Sequence, residues 1–262
     1  MRYNGPMRIL SSLHPRFLSN SYLLIDEASG EAALIDSGAP MEPLLPPLES
    51  GEAKLRYILC THHHHDHIEH NADFAHRFGA PVLAAQAEAP LFPPAQRALL
   101  GPLLEDGDSL PLGRLEIRCL LIPGHTAGQL AFLAQAPNSP PATQALFTGD
   151  TLFRGSVGGT MGPGHTSFED LHHSIMEVLM SLPRETPIHP GHCEPSTLAE
   201  EWEHNPFVQL WRGLLPSAEQ PAEAFGKPVT LMLRAQDYDG GSKCQIRFPD
   251  GRIAIAPGSR VH

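Results

Sequence analysis

Short runs of apolar residues, separated by turns rich in glycine and proline, dominate the first two thirds of the chain. The runs at 20–25 and 32–35 flank Ser29-Gly30, which is typical of two strands joined by a turn. Further strands are predicted at 57–60, 82–84, 115–122, 130–134 and 145–148, with a short one at Ile188. Twenty-seven prolines punctuate the chain, so we expect no long helices.

Two segments show helical periodicity instead of short apolar runs. Residues 69–78 predict a helix that is stopped by Gly79 and Pro81. Residues 168–182 predict a second helix, with Ser167 as its N-cap and Pro183 beyond its end.

The pattern changes after Trp211. Residues 213–226, rich in alanine and acidic residues, are predicted to be a linker between a catalytic domain at 1–212 and a small β appendage at 227–262. Strands are predicted in the appendage at 229–234, 244–248 and 253–256. The turn at 237–239 (Asp-Tyr-Asp) is interpreted as a solvated loop rather than part of a site.

Side chains that bind metals follow four of the predicted strands, each just past the strand's end. These residues are His62, His64, Asp66, His67, His125, Asp150 and His192. Strand ends at one edge of a sheet converge, and ligands bind there. A glycine stands beside three of the four sites, which allows the backbone to turn tightly and approach a metal.

The spacing of the first group matters. In an extended loop His62 and His64 point the same way and can hold one ion, while Asp66 and His67 lie beyond them and can face a second. Imidazole and carboxylate suit zinc, iron or manganese. Two simpler readings are a solvated histidine patch at 62–65 and Asp150 as an ordinary turn residue. Four such sites, each after a strand, favour a metal centre.

Composition and charge limit the classes of binding partner that we expect. The 262 residues carry a net charge of −11, which disfavours nucleic acid, because phosphate binding needs a basic surface. No stretch approaches the roughly 20 apolar residues needed to cross a bilayer, so no membrane partner is expected. Residues 1–12 lack the pattern of a secretory signal. The four scattered cysteines are predicted to be free thiols, as in a reducing compartment, and a cytoplasmic location is expected.

Several segments resemble one enzyme family. HxHxDH at 62–67, PGHT at 123–126, TGDTLF at 148–153 and PGH at 190–192 resemble the metallo-β-lactamase superfamily. GSVG at 155–158 and NPF at 205–207 resemble its glyoxalase II-like (hydroxyacylglutathione hydrolase-like) branch. The resemblance covers about 20–207. It implies an α+β fold, a four-layered αβ/βα sandwich with a two-metal site along one edge, here with a small C-terminal β appendage.

The resemblance also implies a ligand set. The first metal would be bound by His62, His64 and His125, the second by Asp66, His67 and His192, and Asp150 would bridge both. The expected cofactors are two divalent metal ions, zinc before iron or manganese. His63 and His65 fall at variable positions of the motif, where they would support the ligands or lie at the surface. His189 is expected to be structural, and Cys193 a small packed residue.

A hydrolytic mechanism follows from such a site. Two cations flanking a water lower its pKa toward neutrality, and the resulting metal-bound hydroxide attacks a carbonyl. Asp66 is expected to orient that nucleophile and to take its proton. A thioester suits the site, because a thiolate leaves without a general acid, whereas the sequence shows no clear proton donor for an amide. The prediction is a binuclear metallohydrolase, a thioesterase of glyoxalase II type acting on a small-molecule thioester.

The chain departs from the branch in two ways. The branch usually continues Gly-Ser-Val-Gly with Arg, Thr and Asp, and here Gly159 and Met161 replace the arginine and the acid. Glyoxalase II proper carries a helical C-terminal region that helps to bind glutathione, whereas this chain is predicted to end in strands. The sequence therefore does not identify the thiol that carries the acyl group. Arg16, Arg154 and Lys243 are candidate anion contacts, each equally well explained as a surface cation.

Other functions are compatible with parts of the pattern. A mononuclear iron persulfide dioxygenase needs two histidines and a carboxylate, which His62, His125 and Asp150 supply. The GSVG segment and Thr151 favour the hydrolase. A lactonase or β-lactamase-like hydrolase is a third option. A non-catalytic metal-binding scaffold is disfavoured because no ligand is missing. The C-terminal β unit is a candidate surface for a homodimer or a cover over the site.

Overall fold

The structure, a computed structural model, describes residues 6–262. The first five residues of the predicted catalytic domain at 1–212 lie outside the described residues. Its first sheet has the strand order β1-β2-β3-β4-β5, antiparallel from β1 to β3 and parallel from β3 to β5. The strands are β1 (Met7–Leu13), β2 (Asn20–Asp26), β3 (Glu31–Ile35), β4 (Lys54–Leu59) and β5 (Val82–Leu83).

A second sheet faces the first, with the order β13-β12-β9-β8-β7-β6. Strands β7, β9 and β12 run in one direction, because β8 is antiparallel to both β7 and β9 while β12 is parallel to β9. The strands are β6 (Ser109–Leu112), β7 (Leu115–Leu121), β8 (Leu130–Gln135), β9 (Ala145–Gly149), β12 (Pro187–Pro190) and β13 (Ser196–Thr197), and β10 (Leu152–Phe153) and β11 (Ser156–Val157) form a hairpin after β9.

Both faces of the central strands are buried, which explains why they appear in the sequence as unbroken apolar runs. All seven residues of β2 are buried. Tyr22 and Leu24 point into the core between the two sheets, where they meet Phe132 and Phe147 of the second sheet. The intervening Leu23 belongs to a separate core on the outer face, because successive strand residues point to opposite sides.

Helices cover the outer face of each sheet and complete four layers. The helices near the first sheet are α1 (Leu45–Glu49), α2 (His65–Ile68), α3 (Asn71–Phe78) and α4 (Pro94–Arg97). Those near the second sheet are α5 (Phe168–His173), α6 (Leu198–His204) and α7 (Pro206–Trp211). Phe74 of α3 packs in the outer core of the first sheet, and Leu171 and Phe207 in that of the second. The α+β, four-layered αβ/βα sandwich is therefore confirmed.

The predicted helices form with shifted ends. The Ser167 hydroxyl caps α5 by accepting from the Asp170 backbone amide, as predicted. Beyond α5 the chain stays helical through Ser181, but as a π-helical turn and then a 3₁₀ turn. The helix predicted at 69–78 begins at Asn71 and ends at Gly79, whose left-handed φ of 69° closes it.

The C-terminal unit is a four-stranded antiparallel sheet rather than three strands. Its strands are β14 (Gln220–Ala224), β15 (Lys227–Gln236), β16 (Ser242–Arg247) and β17 (Ile253–Pro257). Strand β14 lies within the segment predicted to be a linker. Its alanines and Pro221 give little strand signal, but an edge strand tolerates proline, and pairing with β15 supplies the structure. One face of this sheet adds Leu233 and Ile255 to the outer core of the second sheet.

All four cysteines are free thiols, and Cys60, Cys119 and Cys244 are buried. Cys193, expected to be packed, is only partly buried. Among residues 6–262, no helix has the length and apolar character needed to span a membrane.

Candidate metal centre

The ends of four strands bring the predicted metal-binding side chains together at one edge of the sandwich. In the second sheet, β7, β9 and β12 run in the same direction, so the residues after them share that edge. The remaining residues, at 62–67, follow strand β4 of the facing sheet. The side chains form three overlapping groups, each with its ligand atoms within 4.8 Å of one another: His62, His64 and His125; His62, His67 and Asp150; and Asp66, His67 and His192.

Asp150 lies at the centre of this cluster. Its Oδ1 is 3.4 Å from Nε2 of His67, and its Oδ2 is 3.6 Å from Nε2 of His125 and 3.2 Å from Nε2 of His192. Asp150 thus contacts histidines of both predicted metal sets, which is the position a bridging ligand requires. Asp66 closes the second set, with its Oδ2 3.6 Å from Nε2 of both His67 and His192.

The buried polar atoms of the cluster fit a cation. Within the described part of the chain, His62 Nε2, His67 Nε2 and Asp150 Oδ1 are buried without a hydrogen-bond partner. Buried nitrogen and oxygen atoms without partners are costly, and convergent imidazole and carboxylate groups are the ligands that zinc and iron take. The donor set therefore suits divalent metal ions, and the assignment of individual ligands stays a prediction.

The electrostatics of the cluster also suit a cation. Burial lowers the pKa of His62, and it lowers that of His125 to about 4, so both rings are neutral at pH 7, the form that binds metal. Burial opposes charge on His67 too, but Asp150 and Asp36 outweigh it and raise the pKa of His67 to about 10. Burial favours protonation of Asp150, yet the neighbouring imidazoles hold its pKa well below the ordinary value. A metal ion at His67 therefore displaces a proton.

The first motif is extended only up to His64. His64 has extended backbone angles, φ −63° and ψ 143°, and precedes helix α2, which contains Asp66 and His67. The extended backbone on which the pairing of His62 and His64 was argued is therefore present, and Asp66 and His67 follow it on a helix. The Ser37 backbone amide donates to the His67 carbonyl at 2.7 Å. A Cβ at Gly38 would lie 1.6 Å from the Asp66 carbonyl oxygen, so the β3–α1 loop fits tightly against α2.

A close approach between two loops requires glycine at position 191. A Cβ there would lie 2.2 Å from Oδ1 of Asp150 and 2.9 Å from Cε1 of His67. The loop that carries His192 is held by Asn20, whose side-chain amide donates to the Pro190 carbonyl at 3.1 Å and to the Cys193 carbonyl at 2.7 Å. Asn20, at the start of β2, thus holds the loop that positions His192 in the site.

Asp36 contacts the cluster directly, and the sequence reasoning missed it. Its Oδ2 is 2.8 Å from Nδ1 of His67, and its two oxygens accept from the backbone amide and hydroxyl of Thr61, at 2.7 and 2.8 Å. It therefore fixes the ring of one predicted ligand and the loop start that carries the others. The sequence pattern around Asp36 is that of the predicted ligands, because Asp36 directly follows a strand, β3, and is followed by Ser37-Gly38.

The remaining histidines of the cluster lie outside the ligand groups. His63 pairs through Nδ1 with Oε1 of buried Glu88 at 2.5 Å, and Glu88 also accepts from the Gly128 backbone amide at 2.7 Å. His63 thus ties the first motif to the loop before β8, and no local pattern around Glu88 predicted this. His65 is exposed. His189 is partly buried and stacks on the core residue Phe147, at 5.1 Å between ring centroids.

The C-terminal sheet covers one side of the centre, which corrects the interpretation of the turn at 237–239. Asp239 is exposed as expected, but Asp237 and Tyr238 are partly buried. The Tyr238 ring stacks on His192, with centroids 4.2 Å apart and planes at 13°. Asp237 Oδ2 lies 3.1 Å from Nζ of Lys243, and both side chains are only 8% exposed.

The three candidate anion contacts have different surroundings. Lys243 is buried, with Nζ 5.1 Å from the centroid of the Phe153 ring. Arg154 is exposed, 3.8 Å from Glu194. Arg16 lies over the Phe17 ring at the surface. Only Lys243 lies beside the metal centre, in the same cavity as His125 and Asp150.

Comparison with known proteins agrees with this geometry. A hydroxyacylglutathione hydrolase-like protein of Mus musculus is 31% identical over 226 residues, covering 72% of this chain and 75% of that protein. ETHE1 from Myxococcus xanthus superposes with a TM-score of 0.63 at 27% identity, over 77% of this chain and 84% of that chain. The di-iron-bound form of TTHA1623 gives 0.60 at 35% identity, over 75% and 98%.

Residues 14–192 match the metallo-beta-lactamase superfamily, and this range contains all seven predicted ligands. The match runs from before β2 to just after β12, so it covers all of both sheets except β1 and β13, and it ends at His192. The chain therefore belongs to the metallo-beta-lactamase superfamily, in its glyoxalase II-like (hydroxyacylglutathione hydrolase-like) branch.

Proposed function

We propose that this metal-dependent hydrolase is a binuclear thioesterase of glyoxalase II type. The observation that carries the proposal is the position of Asp150, whose carboxylate lies 3.6 Å from His125 of the first predicted ligand set and 3.4 and 3.2 Å from His67 and His192 of the second. A single-iron site needs only two histidines and one carboxylate. The further convergence of Asp66 and His67 favours two ions over one.

Divalent ions bound by the two groups would polarise the substrate carbonyl and lower the pKa of a bound water. Asp66 is suited to the attacking water, because its side chain is 21% exposed whereas that of Asp150 is 9% exposed. We assign Asp66 the tasks of orienting that water and accepting its proton. Asp36 and the Gly159 carbonyl keep the rings of His67 and His125 in place, at 2.8 and 2.9 Å.

The reaction consumes one water for each thioester. A C–O bond forms, the C–S bond breaks with its electron pair remaining on sulfur, and a carboxylic acid and a thiol are released. The proton that Asp66 accepts is available to the departing sulfur. A thiolate leaves without prior protonation, so the reaction needs no separate general acid.

The test combines metal content with turnover. Protein purified without added metal is expected to contain about two ions per chain by elemental analysis, as a two-metal site requires, and to hydrolyse S-lactoylglutathione or a small-thiol thioester. His64→Ala is expected to lower both metal content and turnover. His65→Ala, the exposed neighbour in the same motif, serves as the matched control and is expected to retain both.

One result would replace this proposal. About one iron per chain, with oxygen uptake on glutathione persulfide and no thioester hydrolysis, would identify the mononuclear dioxygenase instead. Turnover of lactones or β-lactams without thioester turnover would keep the metal centre and change the substrate class.

A further inference from the structure

A cavity of about 310 Å³ opens beside the metal centre, between the segment after β11 and the C-terminal sheet. His125 and Asp150 lie at its inner end. Its walls are mostly apolar and are formed by Phe153, Met161, Phe225, Ile255 and Pro257. Any group bound to the metal centre from this side therefore extends into an apolar space.

Gly159 and Met161, the two positions at which the sequence departs from the branch, both line this cavity. The Gly159 carbonyl accepts from Nδ1 of His125 at 2.9 Å, so the missing side chain leaves space next to a predicted ligand. A Cβ built on Gly159 meets only the Ile255 carbonyl oxygen, at 3.6 Å, which is ordinary contact. A side chain at position 159 would therefore start without a backbone clash at its Cβ, at the wall of the cavity.

The charges of the cavity are balanced. Lys243 has its Nζ 3.1 Å from Oδ2 of Asp237 and lies near the Phe153 and Tyr238 rings, at 5.1 and 5.4 Å from their centroids. The outer end carries Arg260 and Asp239, which have opposite charge and are both exposed. Away from the metal centre at its inner end, the cavity thus offers no buried, uncompensated charge to attract an ionic group.

We propose that this cavity binds the acyl group of the substrate, and that the preferred substrates are thioesters of uncharged acyl chains of medium length. A volume near 300 Å³ is at the small end of ligand pockets and accommodates a chain of about four to eight carbons. This inference rests on the proposed thioesterase function. Burial of each methylene contributes enough to multiply kcat/KM by about three- to fourfold until the cavity is full.

The test uses acetyl, butyryl, hexanoyl and octanoyl thioesters of N-acetylcysteamine with the metal-loaded enzyme. In the wild type, kcat/KM is expected to rise steeply from acetyl to hexanoyl. Gly159→Leu is expected to lower the ratio of hexanoyl to acetyl kcat/KM by roughly tenfold or more, since two or more methylenes lose their site. Metal content and circular dichroism of that variant show whether the centre and the fold are intact.

Two further variants sharpen the test. Met161→Ala enlarges the cavity and is expected to move the preferred chain toward octanoyl. Met176→Ala removes a methionine that packs in the outer core of the second sheet, away from the cavity, and is expected to leave the chain-length preference unchanged. A glutaryl thioester is expected to react more slowly than the pentanoyl one, because the apolar walls do not compensate a carboxylate.

Several outcomes would overturn the acyl-chain assignment while the thioesterase proposal stands. These are a flat chain-length profile, an equal loss of acetyl and hexanoyl turnover in Gly159→Leu at full metal content, or a preference for glutaryl. If no thioester reacts, the thioesterase proposal fails, and the cavity is tested separately by calorimetry with hexanoate. Binding that Gly159→Leu abolishes would support an apolar-chain site, and equal or absent binding in both proteins would overturn it.

Discussion

The metal centre and the cavity beside it are built in contrasting ways. The centre takes its side chains from segments that follow strands, including the short helix α2, and its residues from His62 to His192 all lie within the part of the chain that matches the superfamily. The cavity is closed by Tyr238, Lys243 and Ile255, which come from a separate sheet at the C-terminus. The chemistry is thus built by the sandwich, whereas the space beside it depends on the appended sheet.

Metal binding and substrate preference therefore place different requirements on the sequence. Metal ligands must be histidine or aspartate at positions fixed by strand ends, so few sequences satisfy the site. A cavity wall needs only apolar atoms at the right distance, and many residues can supply them. We therefore expect changes in the centre to abolish metal binding and activity, and changes in the appended sheet to alter stability and substrate preference.

The largest effect is expected for Asp150→Ala. Loss of the carboxylate that faces both ligand sets should lower metal content and reduce kcat/KM by more than about 100-fold, since even outer partners of ligands cost about 10–100-fold. Elemental analysis and a thioester assay measure the two effects. Asp73→Ala, an exposed aspartate on α3, is the control. Retention of two ions per chain in Asp150→Ala would rule out the bridging assignment.

Asp36→Asn is expected to weaken metal binding by about 10–100-fold, because the hydrogen-bonded partner of His67 loses its charge. Asparagine tolerates the left-handed backbone that Asp36 adopts, with φ at 56°, so the loop should keep its shape. Competition with a chromogenic chelator measures the affinity. An unchanged dissociation constant would show that Asp36 only holds the Thr61 loop.

Lys243→Met is expected to destabilise the fold by about 3 kcal/mol, because it leaves Asp237 partly buried without its cation. Urea unfolding measures this change, and adding Asp237→Asn should restore much of the loss. Arg252→Met breaks the exposed pair with Asp250 and should change stability far less than Lys243→Met does, because solvent screens an exposed ion pair. Equal effects of the two substitutions would mean that the Lys243 pair behaves as a surface contact.

The smallest effect is expected at Tyr238. Tyr238→Leu removes the ring stacked on His192 and should weaken binding of the second metal by roughly two- to tenfold, the value of an aromatic pair near 1 kcal/mol. Tyr238→Phe keeps the ring and should bind metal like the wild type. Metal titration of both variants distinguishes the ring from the hydroxyl. Weaker binding in Tyr238→Phe would assign the effect to the hydroxyl instead.

The sequence alone predicted most of the strands and the side chains that converge at one edge, and the resemblance of its motifs to the superfamily implied the sandwich. Strands buried on both faces appear as unbroken apolar runs, as β2 shows, and residues that follow such runs are recognisable without knowledge of their neighbours in space. Ser167 likewise predicted its own helix start, because a cap acts within a few residues. Asp36 carried the same kind of local signal after β3 and was within reach of the same reasoning.

The tertiary structure alone decided the rest. Strand β14 exists because β15 pairs with it, although its own residues predicted a linker. The pairing of His63 with Glu88 and the stacking of Tyr238 on His192 join residues 25 and 46 positions apart in sequence. Nothing near Tyr238 distinguishes it from a solvated turn, because its role depends on where the C-terminal sheet packs. Contacts between distant segments are set by the packing of whole layers, which no local pattern encodes.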